Sequence, residues 1–357
     1  MMDRLSRAEA QQRTRARVLA AARDEFTERG YRDAKVDAIA ERAGLTRGGV
    51  YSNFPGKRAL YFAVLAEEAA RPPAASPPSP GRTAHEALGH FARGWLARLP
   101  LYTETDPSPG RLAVDLVPEI LADEHTRLPY AQLLSLDAVL LGLALEQLHP
   151  MAGRRVGVAG AVLTHLQGAA RLAAAAPGFV DEFAVVEACS RLAGLDLADK
   201  WDPPHLVHAP SPRPVDEPWS PPAGPVVDAV RDAPLGWPPS GLVAVLGLRR
   251  AAAIEEAVRA AAPGTPVTAV LVTGDPDELA NLARLVLAEL LTCLRPAFPE
   301  SAWPHLRLVH DRDLSLATAA GVDVVSDSTE TAVVIRDGRI VARADGFGAC
   351  HAAASVT

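Results

Sequence analysis

Cysteine is scarce in this chain: Cys189, Cys293 and Cys350 are the only three in 357 residues, an odd number without paired spacing. That excludes a disulfide framework and fits a cytoplasmic protein with free thiols. The ten histidines are scattered without a metal-ligand cluster, so neither a metal nor a cofactor is expected. The opening MMDRLSRAEAQQRTR contains no apolar stretch, which argues against a secretion signal. No window reads as long and apolar enough to span a membrane; the richest, Ala138–Leu145, is short and meets Glu146.

Net positive charge is also missing. The chain carries −7 overall, which at first speaks against a nucleic-acid partner. The distribution reverses that argument. Residues 1–71 hold fourteen Lys or Arg and ten Asp or Glu, a balance of +4, so the remainder carries −11. A basic head on an acidic body suits nucleic-acid contact confined to one end. The length exceeds what one domain usually holds, so at least two are expected.

Within the head, residues 35–54 contain the most specific pattern. Val36, Ile39, Ala40 and Ala43 recur at helical spacing and give one apolar face. Gly44 suits a left-handed cap, Leu45 packs back, and Thr46 is a good N-cap for a second helix. Val50 and Phe54 point inward on that helix, which leaves Arg47, Gly48, Tyr51 and Asn53 outside. Pro55 closes the unit. Gly48 and Gly49 each cost about 1 kcal/mol relative to Ala inside a helix, and close approach to another molecule is a reason to keep them. Lys57 stands at the start of the next helix, where the macrodipole disfavours a cation unless a phosphate lies nearby. A helical hairpin with incidental glycines is the plainer alternative.

The preceding helix, with Val18, Leu19, Ala22 and Phe26 in a stripe, ends at Gly30–Tyr31. The segment RVLAAARDEFTERGY followed by VDAIAERAGLTRGGVYSNFPGKRAL resembles the DNA-binding domain of the TetR (tetracycline repressor) family, over about residues 13–65. The resemblance implies an all-α, three-helix domain over residues 11–71. Thr46, Arg47, Gly48 and Gly49 would begin the recognition helix in the major groove. Lys35, Tyr51, Asn53 and Lys57 would hold phosphates, with Asn53 also able to reach a base edge. Asn53 stands where the family commonly has His, and Lys35 where it often has Thr or Ser. Because the glycines lack side chains, Arg47 is the candidate for direct base readout, of guanine. A solvated surface charge is the alternative for Arg47.

Residues 82–200 read as a helical ligand-binding and dimerisation domain, with segments at 83–99, 109–122, 124–148, 153–176 and 180–193 separated by Pro, Gly or Asp. A proline-rich loop, residues 72–81, precedes it. The last two helices resemble the family's dimer pair. Gly157, Ala159, Gly160 and Ala161 are small, and Val158, Val162, Leu163 and Leu166 add apolar bulk; burial inside one subunit is the alternative. His90, Trp95, Asp115, Tyr130 and His165 are the candidate pocket residues, each also readable as a surface or satisfied core group.

Residues 201–240, with twelve prolines, read as an interdomain linker. An α/β pattern follows over 241–350: strands at 242–246 and 267–272, helices at 249–262 and 277–294, a short strand at 306–309, a helical turn at 314–320, and a hairpin about Asp337–Gly338. HDRDLSLATAAGV followed by ETAVVIRDGRIVARADG resembles the C-terminal half of a thioredoxin-like domain, including the peroxiredoxin-type branch. The chemistry is absent, however. The junction after the first strand, GLRRAAA, has no cysteine, and SDSTETA has no proline before the hairpin. Arg249 and Arg250 could hold an anion there, or simply be solvated. Cys293 reads as core, and Cys350 as part of a mobile tail.

The expected protein is a ligand-responsive, DNA-binding transcriptional regulator, a repressor in the family's usual manner. It would bind a palindromic double-stranded DNA operator as a homodimer and be released by a small-molecule effector. It is not expected to be an enzyme or to meet a membrane. A thiol oxidoreductase is the disfavoured alternative for the tail, and an interaction or sensing module the third reading.

Overall fold

The computed structural model describes residues 7–72, 77, 79–99, 112–203 and 210–357. Part of the loop expected at 72–81, the start of the helix expected at 109 and part of the linker expected at 201–240 lie outside these residues.

The head consists of α1 (Arg7–Asp33), α2 (Val36–Ala43), α3 (Arg47–Tyr51) and α4 (Lys57–Ala69). Gly30 breaks the helical geometry near the end of α1, where the glycine–tyrosine stop was expected. The body follows as α5 (Ala84–Leu96), α6 (Leu116–Leu121), α7 (Glu124–Leu148), α8 (Val156–Ala175) and α9 (Glu182–Leu192). The caps explain the boundaries. Thr83 and Glu86 form a capping box on α5, and the Asp123 and Asp181 carboxylates accept from the first amides of α7 and α9. One expectation is corrected: α7 is long and apolar enough, by length and composition, to cross a membrane. Its apolar stretch is instead 67% buried inside the protein, as suits a core helix.

The tail is built on a six-stranded sheet in the order β1-β8-β7-β4-β5-β6. The strands are β1 (Arg213–Pro218), β4 (Gly241–Gly247), β5 (Val267–Val272), β6 (Arg307–His310), β7 (Glu330–Arg336) and β8 (Arg339–Asp345); β2 (Val227–Asp228) and β3 (Ala233–Pro234) pair separately. β4, β5 and β6 are parallel, while β7, β8 and β1 run antiparallel to their neighbours. Helices α10 (Ile254–Ala260), α11 (Leu279–Ala297), α12 (Ser315–Ala319) and α13 (Ala349–Ala354) complete it. Every residue of β5 is buried, which explains an apolar run without alternation. Side-chain parity divides β4 between two cores: Leu242, Ala244 and Leu246 face the helices, Val243 and Val245 the opposite layer with Trp219 and Leu316.

Two sequence expectations change here. The proline-rich stretch is not linker throughout, because β1 pairs with β8 and Asp228 is buried, accepting from the Val230 and Leu308 amides. Prolines are tolerated because β1 is an edge strand. Cys350 is not in a mobile tail; it is fully buried in α13, its amide donating to Glu330 Oε1 at 3.2 Å.

The tail packs directly on the rest of the chain. α11 lies against α4, α5 and α7, and its apolar residues belong to the same core as theirs. Arg98 donates to the Ala69 and Arg71 carbonyls and to Thr292 Oγ1 at 2.5–2.9 Å. Arg154 bridges Asp199 and Glu255, and Arg259 grips Glu146 at 2.6–2.8 Å.

Two acids sit at this seam. Asp137 of α7 is buried with one carboxylate oxygen unpartnered among the described residues, and burial pushes its pKa well above the usual range, with Glu289 adding to the push. Burial raises Glu289 of α11 to about 7, against the pull of Arg98, and Tyr130 feels both acids. The fold therefore favours their protonated forms. The contribution of Glu289 to stability is fully present below the unfolded pKa of about 4 and is lost as pH rises through about 7, and Asp137 acts in the same direction. Melting temperature should fall between pH 5 and 8, and Glu289→Gln should flatten that slope. Equal slopes for the two proteins would refute the assignment.

Candidate nucleic-acid interface

The exposed face of α3 is set by the turn before it. Gly44 takes the left-handed conformation (φ 60°, ψ 42°), which an L side chain adopts only at a cost. Its amide donates to Glu41 O at 3.0 Å and that of Leu45 to Ala40 O at 2.9 Å, closing the end of α2. Thr46 Oγ1 then accepts from the Gly49 amide at 3.1 Å and starts α3. Ile39, Ala40, Ala43, Val50 and Phe54 are buried with Val18, Leu19, Ala22 and Phe26 of α1, so the angle between α2 and α3 is fixed by one apolar core.

Two arginines that the sequence reading did not single out latch this unit to α1. Arg17 donates to the Ala43 carbonyl, and its guanidinium stands where a Cβ on Gly44 would fall. Arg15 stacks over the Phe54 ring at 4.0 Å and donates to Asn53 O at 2.9 Å. Nothing in their spacing distinguishes them from surface charges; only the folded unit brings them to those carbonyls.

What remains outward is Thr46, Arg47, Gly48 and Tyr51, all exposed on one side of α3. Arg47 is 61% exposed and lies 3.5 Å from both the Asp37 carboxylate and the Tyr51 hydroxyl. These are weak solvent-facing contacts that a stronger partner can displace. Lys35 is exposed at the N-cap of α2, where its amide donates to Glu25. The Asn53 side-chain amide donates to Gly49 O at 2.9 Å, so it is partly engaged in closing α3. Lys57 has internal partners as well: its Nζ donates to Arg32 O at 3.1 Å and lies 4.6 Å over the Tyr31 ring. The carbonyl end of α1 thus offsets the macrodipole penalty without a phosphate.

The chain itself gives no reason for the glycine pair. An added Cβ would meet Thr46 Oγ1 at 3.9 Å on Gly48 and Leu45 at 3.5 Å on Gly49, ordinary contacts in both cases. Neither position is closed to a side chain by a clash among the described residues.

The five pocket candidates are not brought together. His165 is exposed on α8. Trp95 is buried against Phe91 on α5, and His90 on the same helix has Nδ1 unpartnered among the described residues. Asp115 instead joins head to body: it accepts from the Tyr31 amide at 3.0 Å, the amide freed by the break at Gly30. Of the five, Tyr130 lines a cavity of about 310 Å³, bounded also by Val117 and Arg171. In the tail, Arg250 pairs with buried Glu330 at 2.7 Å and stacks on Phe347, which closes the junction after β4. Among the described residues, no group of three or more His, Cys, Asp or Glu could hold a metal ion.

Two helices joined by a left-handed glycine turn, with the second exposed on a basic head, define a helix-turn-helix domain. Residues 18–64 match the family model of bacterial regulatory proteins, tetR family. Over these residues the head is therefore similar to the helix-turn-helix domain of TetR-family transcription regulators. The transcriptional regulator SrpR of Pseudomonas putida is 48% identical over 65 residues, 18% of this chain and 30% of that protein. The uncharacterized regulator TtgW of Pseudomonas putida is 48% identical over 65 residues, 48% of its length. The transcriptional activator FasR of Mycolicibacterium smegmatis is 45% identical over 51 residues, 14% of this chain and 23% of its own. The chain thus spans under half the length of these curated relatives. A TetR transcriptional regulator from Rhodococcus sp. RHA1 matches in structure at 18% identity, over 52% of this chain and 95% of that one, with a TM-score of 0.35.

Gly48→Ala should separate fold from function. Relief of the helix penalty should stabilise the protein by up to about 1 kcal/mol, while the added methyl on the exposed face weakens binding to target DNA. Thermal melts and DNA titrations check both. A variant that is more stable and binds equally well would show that the glycine has no external role.

Proposed function

We propose that the chain is a ligand-responsive transcriptional repressor that binds a palindromic DNA operator as a homodimer in the cytoplasm. The observation that carries this reading is the exposed Thr46–Arg47–Gly48–Tyr51 face, held rigid from behind and lacking any internal need for its glycines. Arg47 is the base reader. Lys35, Tyr51, Asn53 and Lys57 are the phosphate contacts, the last two after exchanging internal partners.

Support for the dimer comes from α8 and α9. Val158, Val162, Leu163 and Leu166 are buried within one chain, so the apolar bulk first assigned to the interface is already used. Phe179 and Phe183, 71% and 78% exposed at the junction of these helices, are the better anchors. Gly160 and Gly168 have open space beside them, room for a neighbouring helix. A two-fold pair would set two α3 helices about 34–36 Å apart, one DNA turn. An effector shifts the operator-binding state only by binding one state more tightly, typically by about 1–3 kcal/mol.

The tail we read as a thioredoxin-like scaffold without redox chemistry. Its order β8-β7-β4-β5, with β7 antiparallel to β4 and a closing helix after β8, supports that reading. The thiols speak against catalysis: burial raises Cys189 to about 12, Cys293 to about 11 and Cys350 well above its usual value. Protonated, buried thiols are poor nucleophiles.

Binding of the full chain to its own upstream DNA, titrated at several salt concentrations, tests the reading. Sequence preference with a steep loss of affinity in salt is expected, and binding without preference would sink it. Arg47→Ala should flatten base preference at one position per half-site by roughly tenfold or more. Lys57→Ala should weaken all sequences alike and reduce the salt slope by about one. Phe183→Asp should yield monomers in sedimentation analysis; an unchanged dimer would place the interface elsewhere.

A further inference from the structure

A cavity of about 460 Å³ opens between the last helix of the head and the tail, where no family resemblance predicted a site. We propose that it is an effector site for an amphipathic organic anion, whose acid group pairs with Arg284 while its apolar body lies between α4 and α11. The effector role rests on the regulator reading above; the ligand class rests on the cavity alone.

Three parts of the chain build the walls. Ala66 of α4 and Ala70 just after it form one side, Leu287 and Leu291 of α11 another, and the proline-rich stretch around Pro225 closes the rim. The volume falls in the range of small-molecule sites, about 300–1,000 Å³, and such sites combine apolar walls with a few polar groups. Small residues on α4 keep the space open, since a longer side chain at Ala66 or Ala70 would fill it.

The charge sets the ligand class. Arg284 lines the cavity, and its one hydrogen bond among the described residues is a long 3.4 Å contact to Asn281 Oδ1. No carboxylate lies within ion-pair distance of it among the described residues. Its neighbour Arg295 differs: it donates to the Val230 and Ala229 carbonyls at 3.1 and 2.9 Å and lies 3.8 Å from Asp232. Burial and the nearby Arg312 press the Arg284 guanidinium toward losing its proton, and the Glu67 carboxylate, beyond ion-pair distance, opposes them. A half-buried cation with no carboxylate in direct contact is costly, and a bound anion relieves that cost. The acids in the wall have other tasks. Asp311 accepts from the Ala317 amide at 2.8 Å, and Asp313 accepts from the Ser315 amide and hydroxyl. His310, pushed down to about 4 by burial and by Arg284 and Arg312, is neutral at pH 7 and adds hydrogen bonding without charge.

The position supplies the coupling. α4 runs unbroken from Lys57 to Ala69, and the Ala69 carbonyl at its end accepts from Arg98 and from Thr292, which lines the cavity. A ligand that changes the spacing of α4 and α11 acts on the helix that carries the head.

The probe is 8-anilinonaphthalene-1-sulfonate, an apolar ring system with one fixed negative charge, titrated by fluorescence into the full chain. Its neutral counterpart N-phenyl-1-naphthylamine serves as control. One dye per chain is expected. Arg284→Gln should weaken the anionic dye by about tenfold or more and leave the neutral dye nearly unchanged. Ala288→Trp, which fills the cavity from α11, should abolish both; Ala70→Trp, at the exposed rim, serves if that variant melts early. Dye binding indifferent to these substitutions, or no binding by the full chain, overturns the site. In a parallel DNA titration the anionic dye should shift operator affinity by about fivefold or more, and the tryptophan variant should not respond. Site-directed dye binding without that shift overturns the effector role. Loss of sequence-specific DNA binding under every condition would instead overturn the regulator reading and leave the ligand class to the dye titration.

Discussion

The structure depends on one constraint: α4 has no solvent face along its middle. Every residue from Ala59 to Ala66 is buried, and Ala69 after them. α1 covers one side, and Tyr61 sends its hydroxyl to the Leu112 carbonyl at the start of the body. α11 of the tail covers another. A helix apolar all round must be enclosed, because each large side chain left in water forfeits about 1.5–3 kcal/mol. The tail is thus not an appendage on a proline tether. It supplies the surface that the connecting helix of the head needs.

Charged clamps fix how that enclosure is made. Arg58, one residue into α4, pairs with Asp123 of the body at 2.9 Å and Glu278 of the tail at 2.6 Å. A single side chain therefore joins all three parts. Asp115 holds the Tyr31 amide from the body, and His125 of α7 lies 3.3 Å from Asp275 in the tail. Apolar burial is indifferent to small sliding, whereas paired hydrogen bonds of this length are not. Together they give the head a defined position relative to the body and the tail.

The sequence was most legible where local rules decide the outcome. α7 begins and ends at the residues its capping aspartate and helical pattern indicate, and β5 coincides with the apolar run 267–272. The Asp337–Gly338 turn also falls where the hairpin signal put it. Contacts distant in sequence were not legible. Nothing local shows that the proline-rich stretch adds β1 to a sheet edge, that Cys350 is sealed by the Glu330 network, or that Asp115 caps Tyr31 rather than facing a ligand. One signal was present but unused. The run ALYFAVLA in α4 has no polar position, too apolar for a helix covered from one side only. It announced a second covering element, though not which part of the chain provides it.

That covering is incomplete in one place, and the exception is informative. Protein interiors are packed to crystal-like density, and voids that could hold a small molecule are few. Along most of its length α11 meets this standard: from Leu285 to Leu287 and from Leu290 to Leu294 every residue is buried. The gap falls where Ala66, Ala70 and Ala288 line one space and where Arg284 has no carboxylate within ion-pair distance among the described residues. A seam that served only to hide α4 would gain by filling this space with leucine and by replacing the arginine. Small residues opposite a cation with no directly paired carboxylate reduce stability, and they suit the proposed site for an anion with an apolar body. The cost is borne next to α4, the helix that ends the head, where occupancy of the proposed site would have the most leverage on the head.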